Sequence, residues 1–120
     1  MSDRSTRVSR VERELFEVLS RFLLQDFTDP LPCYASITAV EVTPDLRHAK
    51  AFFRLVGQPA ETRAAESVIN KDRALFQKEV ARSVKMKFCP VLRFEFGHVP
   101  ELDDVDRLLE NLRKPKSFGE

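Results

Sequence analysis

The segment Ser36–Gly57, SITAVEVTPDLRHAKAFFRLVG, decides the fold that this chain is expected to adopt. Two runs rich in β-branched and aromatic residues, Ile37–Thr43 and Ala49–Val56, flank Thr-Pro-Asp-Leu, which is typical of a turn. The pattern predicts an antiparallel hairpin. Because side chains alternate across a strand, the second run should have one apolar face and one charged face. The two faces are Ala49, Ala51, Phe53 and Leu55, and Lys50, Phe52, Arg54 and Val56.

Helices are predicted both before and after this hairpin. From Thr6 to about Phe27 the apolar residues recur every three or four positions, which predicts an amphipathic helix. Ala60–Lys87 is also helical in composition, but its apolar stripe changes register at Asp72-Arg73. We expect a kink there, or two helices that meet at an angle, with Asn70 or Asp72 as a cap.

A third strand and a last helix complete the predicted order. Val91–Gly97 alternates apolar and charged residues as a strand does. A strand, a helical crossover and another strand normally form a parallel unit, so the third strand should lie parallel to the second, with the second in the middle. Glu101–Leu112 has one apolar stripe and predicts a short terminal helix.

Length and composition favour one soluble domain. The chain has 120 residues, and we expect a single domain over residues 1–114 followed by a frayed tail, 115–120. No apolar run is long enough to span a membrane, and the N-terminus has no apolar secretion signal, so a cytoplasmic protein is expected. A monomer is expected because no long apolar stripe is left over. Cys33 and Cys89 predict no disulfide framework; free thiols, or a zinc site with His48 and His98, remain alternatives.

Charge is unevenly distributed along the chain, although its net value is only +1. Basic residues are concentrated in Lys71–Lys87, and acidic residues in Glu95–Asn111. Such a dipolar surface can steer an anionic partner, or it can consist of two solvated helix faces. Lys78, Arg82 and Lys85 have helical spacing, and a stripe of this kind can contact phosphates.

Catalytic motifs are not evident in the sequence. It contains no phosphate-binding glycine loop, nucleophile elbow or helical histidine pair. Asp103 and Asp104 are adjacent, so on a helix they would point about 100° apart and could not share acid and base roles. His48 has no identifiable orienting acid. We therefore expect no enzymatic activity.

Several motifs together resemble the bacterial ribosome-binding factor A family. They occur in the family's order over about residues 4–112, and the segment DLRHAK is the most specific of them. The matching motifs are Thr6-Arg7-Val8, Arg10-Val11, Glu14-Leu15, Asp29-Pro30, Ile37-Thr38, Val40-Glu41-Val42, Pro44 to Ala51 (PDLRHAKA) and Phe88 to Phe94 (FCPVLRF).

The resemblance implies both a fold and a function. The implied fold is an α+β, KH-like domain of type II topology, with the order α-β-β-α-α-β plus a C-terminal helix, and with helices on one face of a three-stranded mixed sheet. The implied function is binding to the immature small (30S) ribosomal subunit and assistance in maturing its 16S rRNA, without catalysis or cofactor. The chain departs from the family at Asp72-Arg73-Ala74, where an Ala-x-Gly kink is usual, and at Gly97-His98-Val99, where Asp-x-Ser is usual.

The family has no Gly-x-x-Gly loop, and neither does this chain, so we expect recognition of a folded rRNA surface through its phosphates. For each basic residue the alternative is a solvated charge. The predicted RNA contacts are Arg7, Arg10, Arg47, Lys50, Lys71, Arg73, Lys78, Arg82, Lys85 and Lys87. A second hypothesis is a protein-interaction module that uses the open sheet face, with Phe52 as an anchor, or the acidic terminal helix.

Overall fold

The computed structural model describes residues 6–100, in which three helices and three strands follow the predicted order. The first helix continues into a single π-helical turn, Phe22–Asp26, before Pro30 and Pro32 lead into the sheet. The elements are α1 (Thr6–Arg21), β1 (Tyr34–Val42), β2 (His48–Val56), α2 (Pro59–Lys71), α3 (Arg73–Ser83) and β3 (Val91–Val99). The predicted helix within residues 101–112 and the predicted tail lie outside the described residues.

The sheet has the predicted mixed topology. Its strand order is β1-β2-β3, with β1 antiparallel and β3 parallel to the central strand. The alternation predicted for β2 is confirmed, because Ala49, Ala51, Phe53 and Leu55 are buried while the intervening side chains are half-buried or exposed. The parallel register places the beginning of β3 beside the β1–β2 turn.

A β-bulge in β1 changes which residues of this strand face the core. The pairing passes from Ile37 opposite Phe53 directly to Ala39 opposite Phe52, so Thr38 is the extra residue. The insertion turns Val40 and Val42 toward the same buried face as Ile37, which strict alternation would not do. The hairpin prediction is confirmed, and the bulge is a feature that it did not include.

All three helices cover the buried face of the sheet. Phe76 of α3 lies at the centre of this core, fully buried, with its ring centroid 4.9 Å from that of Phe22 and 6.0 Å from that of Phe53. Aromatic rings from the π-helical turn after α1, from α3 and from the sheet therefore contact one another edge to face, a geometry that aromatic pairs favour. No helix in the described part of the chain is long and apolar enough to cross a membrane.

The two central helices meet at Asp72, as the change of register predicts. Asp72 leaves helical geometry at φ −99° and ψ 19°, and it occupies the last cap position of α2 and the first of α3, where its side chain forms no capping hydrogen bond with α3. The end of α3 differs from prediction. The helix stops at Ser83 because Val84 takes an extended conformation and is buried, so Lys85 and Lys87 lie in the connecting loop, residues 84–90.

Candidate nucleic-acid interface

Half of the predicted RNA contacts line one surface groove of about 440 Å³. The groove is bounded by the first turns of α1, by the β1–β2 turn and by the 84–90 loop. We call it the basic groove. Its cationic residues are Arg7, Arg10, Arg47, Lys85 and Lys87.

The β1–β2 turn presents Arg47 to this groove. The Leu46 N–H donates to the Thr43 carbonyl at 2.8 Å, which closes a β-turn with Pro44 at its second position. Leu46 then has φ 62°, in the left-handed region that costs an ordinary residue about 1–2 kcal/mol. Its side chain is only 8% exposed, so burial offsets that strain. The next residue, Arg47, is exposed.

Asp45 is bound to its own turn. Its Oδ1 accepts hydrogen bonds from the Thr43 hydroxyl at 2.7 Å and from the Arg47 backbone N–H at 3.0 Å. These bonds, with that from Thr43 the stronger cause, lower the pKa of Asp45 below its ordinary value. The carboxylate is therefore charged at neutral pH and stabilises the loop that carries Arg47.

Hydrogen bonds between separate segments of the chain hold the walls of the groove together. The Val42 N–H donates to Glu12 Oε2 of α1 at 2.9 Å, which satisfies a donor at the end of an edge strand. The Val91 N–H donates to the Arg47 carbonyl, also at 2.9 Å, and so ties the start of β3 to the turn. The groove is thus assembled from segments far apart in sequence but fixed by backbone donors.

Gln77 fixes the end of the 84–90 loop. Its Nε2 donates to the Pro90 carbonyl at 2.7 Å and lies 3.1 Å from Cys89 Sγ, while its Oε1 accepts from the Leu92 N–H at 2.9 Å. Burial raises the pKa of the Cys89 thiol. Sequence reasoning missed Gln77, since a glutamine on an amphipathic helix has no signal that separates this role from ordinary solvation.

The basic groove carries an excess of positive charge. Five cations line it against two carboxylates, Glu14 and Asp45, an excess of three charges. All five cationic residues are exposed, and no carboxylate within residues 6–100 forms an ion pair with them. Exposed cations in a concave surface attract anions without first breaking an internal ion pair.

The structure does not bring the other five predicted contacts into this groove. Lys50 is half-buried on the open sheet face, with its Nζ 3.7 Å from Glu95 Oε2. Lys71 Nζ lies 3.8 Å from Asp29 Oδ2, and Arg73 lies beside Lys71 along a shallow depression at the α2–α3 junction. Lys78 is exposed on α3.

Arg82 is occupied by a carboxylate of its own helix. Its Nη2 donates to both oxygens of Glu79, at 2.7 and 2.8 Å, and the Ser83 hydroxyl donates to Oε2 at 2.9 Å. The Arg82 hydrogen bond holds the pKa of Glu79 below its ordinary value. Because Lys85 follows the helix, the predicted stripe of Lys78, Arg82 and Lys85 is wrong as a helical feature.

The open sheet face is less available than the second hypothesis required. Phe52 lies on this face as predicted, but it is half-buried, and Lys50 Nζ lies 5.8 Å from its ring centroid. The acidic terminal helix, the other surface that the second hypothesis proposed, lies outside the described residues. No group of three or more histidine, cysteine, aspartate or glutamate residues among residues 6–100 is arranged to hold a metal ion.

Comparisons with known proteins agree on one family. The family model described as ribosome-binding factor A matches residues 7–109. A ribosome-binding factor A of Bdellovibrio bacteriovorus is 30% identical over 118 residues, covering 95% of this chain and 88% of that protein. One from Syntrophobacter fumaroxidans is 33% identical and covers 90% of this chain and 95% of that protein. The crystal structure of ribosome-binding factor A from Thermus thermophilus, 20% identical, superposes with a TM-score of 0.63 over 74% of this chain and 93% of that one, so the KH-like fold is shared.

Proposed function

This chain belongs to the ribosome-binding factor A family, and we propose that it is an assembly factor that binds the immature small (30S) ribosomal subunit and assists maturation of 16S rRNA. The activity proposed is binding, without catalysis and without a cofactor. The relatives are named for binding the ribosome, and rRNA presents a dense array of phosphates to any protein that docks on it.

One observation supports the proposal most strongly, namely the basic groove. Its cations come from three separate segments of the chain, and internal hydrogen bonds to Glu12, Arg47 and Gln77 hold those segments in place. Because these segments are already held together, the backbone that carries the cations need not be ordered when they meet phosphates. We place the principal rRNA contacts there, with Lys71, Arg73 and Lys78 as peripheral contacts. Lys50, Lys71 and Arg82 would first have to leave their present carboxylate partners.

Cosedimentation tests the proposal with a matched pair of variants. The groove variant combines Arg10→Glu with Lys85→Glu. The control combines Arg54→Glu with Arg63→Glu, two exposed arginines that do not line the groove. We expect the unmodified protein to migrate with free immature small subunits and not with assembled ribosomes. The groove variant should remain unbound, and the control should migrate as the unmodified protein does.

Each outcome has a separate meaning. Cosedimentation of the groove variant at the unmodified level would remove the groove from the interface. A protein that bound no small subunit at all would overturn the proposed function. In cells that lack their own copy of the gene, the unmodified protein and the control should reduce the amount of precursor 16S rRNA, whereas the groove variant should leave it high. Equal melting temperatures of the variants would exclude misfolding as the cause.

A further inference from the structure

Phe88 is an exposed aromatic side chain on the edge of the basic groove. It is 68% exposed, and of the five large hydrophobic residues that are strongly exposed among residues 6–100 it is the one that lines the groove. On its other side, Phe88 lines a second depression with His48 and Val91, and Arg47 is shared by both. Phe88 and Arg47 therefore stand between two adjacent concave surfaces.

Phe88 does not pack against the core, although its neighbours in the 84–90 loop do. Its neighbours in the 84–90 loop turn inward: Val84 and Pro90 are buried, and Met86 and Cys89 pack against the core. None of the ring–ring contacts within the described residues includes Phe88. The bonds of Gln77 fix the chain immediately after it. The loop is thus anchored on the side that faces the core and presents the phenyl ring outward.

The surroundings of the ring are cationic. Lys87 Nζ lies 5.6 Å from its centroid, and Arg47 and Lys85 line the same groove. An isolated exposed apolar residue is ordinary on a protein surface. An aromatic ring among unpaired cations is the combination that binds single-stranded nucleic acid, because the cations hold the phosphates while a base stacks on the ring.

We propose that Phe88 stacks against an unpaired nucleobase of RNA while the cations of the basic groove hold the neighbouring phosphates. The inference rests on the proposed function and narrows its target to a single-stranded or looped RNA segment beside the docking site. A base within a helix is stacked on both sides and cannot reach the ring, so double-stranded RNA should gain nothing from Phe88. The stacking tolerates any base, since every base has a π face.

A binding measurement with two RNA probes tests this inference. The probes are a labelled oligouridine of about ten nucleotides and a labelled RNA duplex of about 16 base pairs, compared by fluorescence anisotropy. Phe88→Ala should weaken binding to the single strand by about 5- to 150-fold, the factor that corresponds to one stacked base. It should leave duplex binding unchanged. The salt dependence should also stay the same, because no phosphate contact is lost.

Two further variants separate stacking from other effects. Phe88→Tyr keeps an aromatic ring and should bind the single strand within about twofold of the unmodified protein. Leu24→Ala removes another apolar side chain that is 70% exposed but does not line the groove, and it should leave binding unchanged. An oligouridine with one 2-aminopurine should lose fluorescence on binding to the unmodified protein and to Phe88→Tyr, and less so with Phe88→Ala.

The outcomes distinguish this inference from the proposed function. Equal single-strand affinities for the unmodified protein and Phe88→Ala, or an equal loss on both probes, would overturn the stacking role while leaving subunit binding intact. If Phe88→Ala kept its RNA affinity but failed to cosediment with small subunits, the ring would contact a protein, and the inference would again be wrong. Failure of the unmodified protein to bind small subunits or either probe would overturn the proposed function itself.

Discussion

Salt should release this protein from the small subunit with a steepness set by the basic groove. If each of its five cations contacts one phosphate, the logarithm of the affinity should fall against the logarithm of salt concentration with a slope of about −3.5 to −4.5. The affinity would then drop about 130- to 500-fold between about 50 and about 200 mM monovalent salt at constant magnesium. Filter binding to purified immature small subunits measures this slope directly.

A single substitution makes the test specific to the groove. Arg47→Gln removes one cation but no backbone hydrogen bond, so its slope should be shallower by about 0.7 to 0.9. Arg63→Gln is the matched control. Arg63 is exposed on α2 and lines a depression with Gly57 and Val99, at the opposite end of the sheet from Arg47. A slope near zero for the unmodified protein, or equal slopes for the two variants, would refute the reasoning.

Three other substitutions test the supports of the site. Leu46→Gly relieves the left-handed strain, but it also removes a buried side chain and increases the conformational freedom of the unfolded chain. Urea unfolding should therefore show a net loss of about 1–2 kcal/mol in the free energy of unfolding. A variant more stable than the unmodified protein would show that the strain dominates. Gln77→Leu leaves the Leu92 N–H without its acceptor, which should lower the free energy of unfolding by about 1–3 kcal/mol and weaken subunit binding. Unchanged binding would show that the loop needs no such anchor. Asp72→Asn should raise the melting temperature at neutral pH. The neighbouring Asp29 side chain, which favours the protonated carboxyl as a hydrogen-bond donor, raises the pKa of Asp72 above its ordinary value, so the unmodified fold loses stability as pH rises from the ordinary pKa through the raised one. The asparagine keeps a donor at every pH, and an advantage that did not shrink in acid would contradict this explanation.

The fold could be predicted from the sequence wherever a residue pattern is compatible with a single structure. Alternation in Ala49–Val56 gives the central strand and its buried face, and the crossover rule gives the parallel third strand. The bulge at Thr38 was not predicted, although the spacing of Ile37, Val40 and Val42 contains its signal. The odd step from Ile37 to Val40 breaks the alternation of a regular strand, and the even step from Val40 to Val42 restores it.

The site was harder to predict because its arrangement depends on tertiary contacts. The helical composition extended the predicted helix to Lys87, since nothing local in the sequence shows that Val84 would turn inward and end the helix. Composition also could not tell that Arg82 bonds to Glu79 while Arg47 stays unpaired within the described part of the chain. The basic residues are visible in the sequence, but which of them share a surface is decided by how α1, the turn and the 84–90 loop meet.

Photochemical crosslinking of the unmodified protein on immature small subunits tests the central claim most directly. Ultraviolet light joins side chains to RNA at contact distance, and mass spectrometry identifies the peptides that carry a nucleotide. We predict that crosslinks to 16S rRNA concentrate in the first two turns of α1 around Arg7 and Arg10 and in the 84–90 loop, with Phe88 among the sites. Crosslinks concentrated on the open sheet face around Lys50 and Arg54, with none in those two segments, would contradict the account.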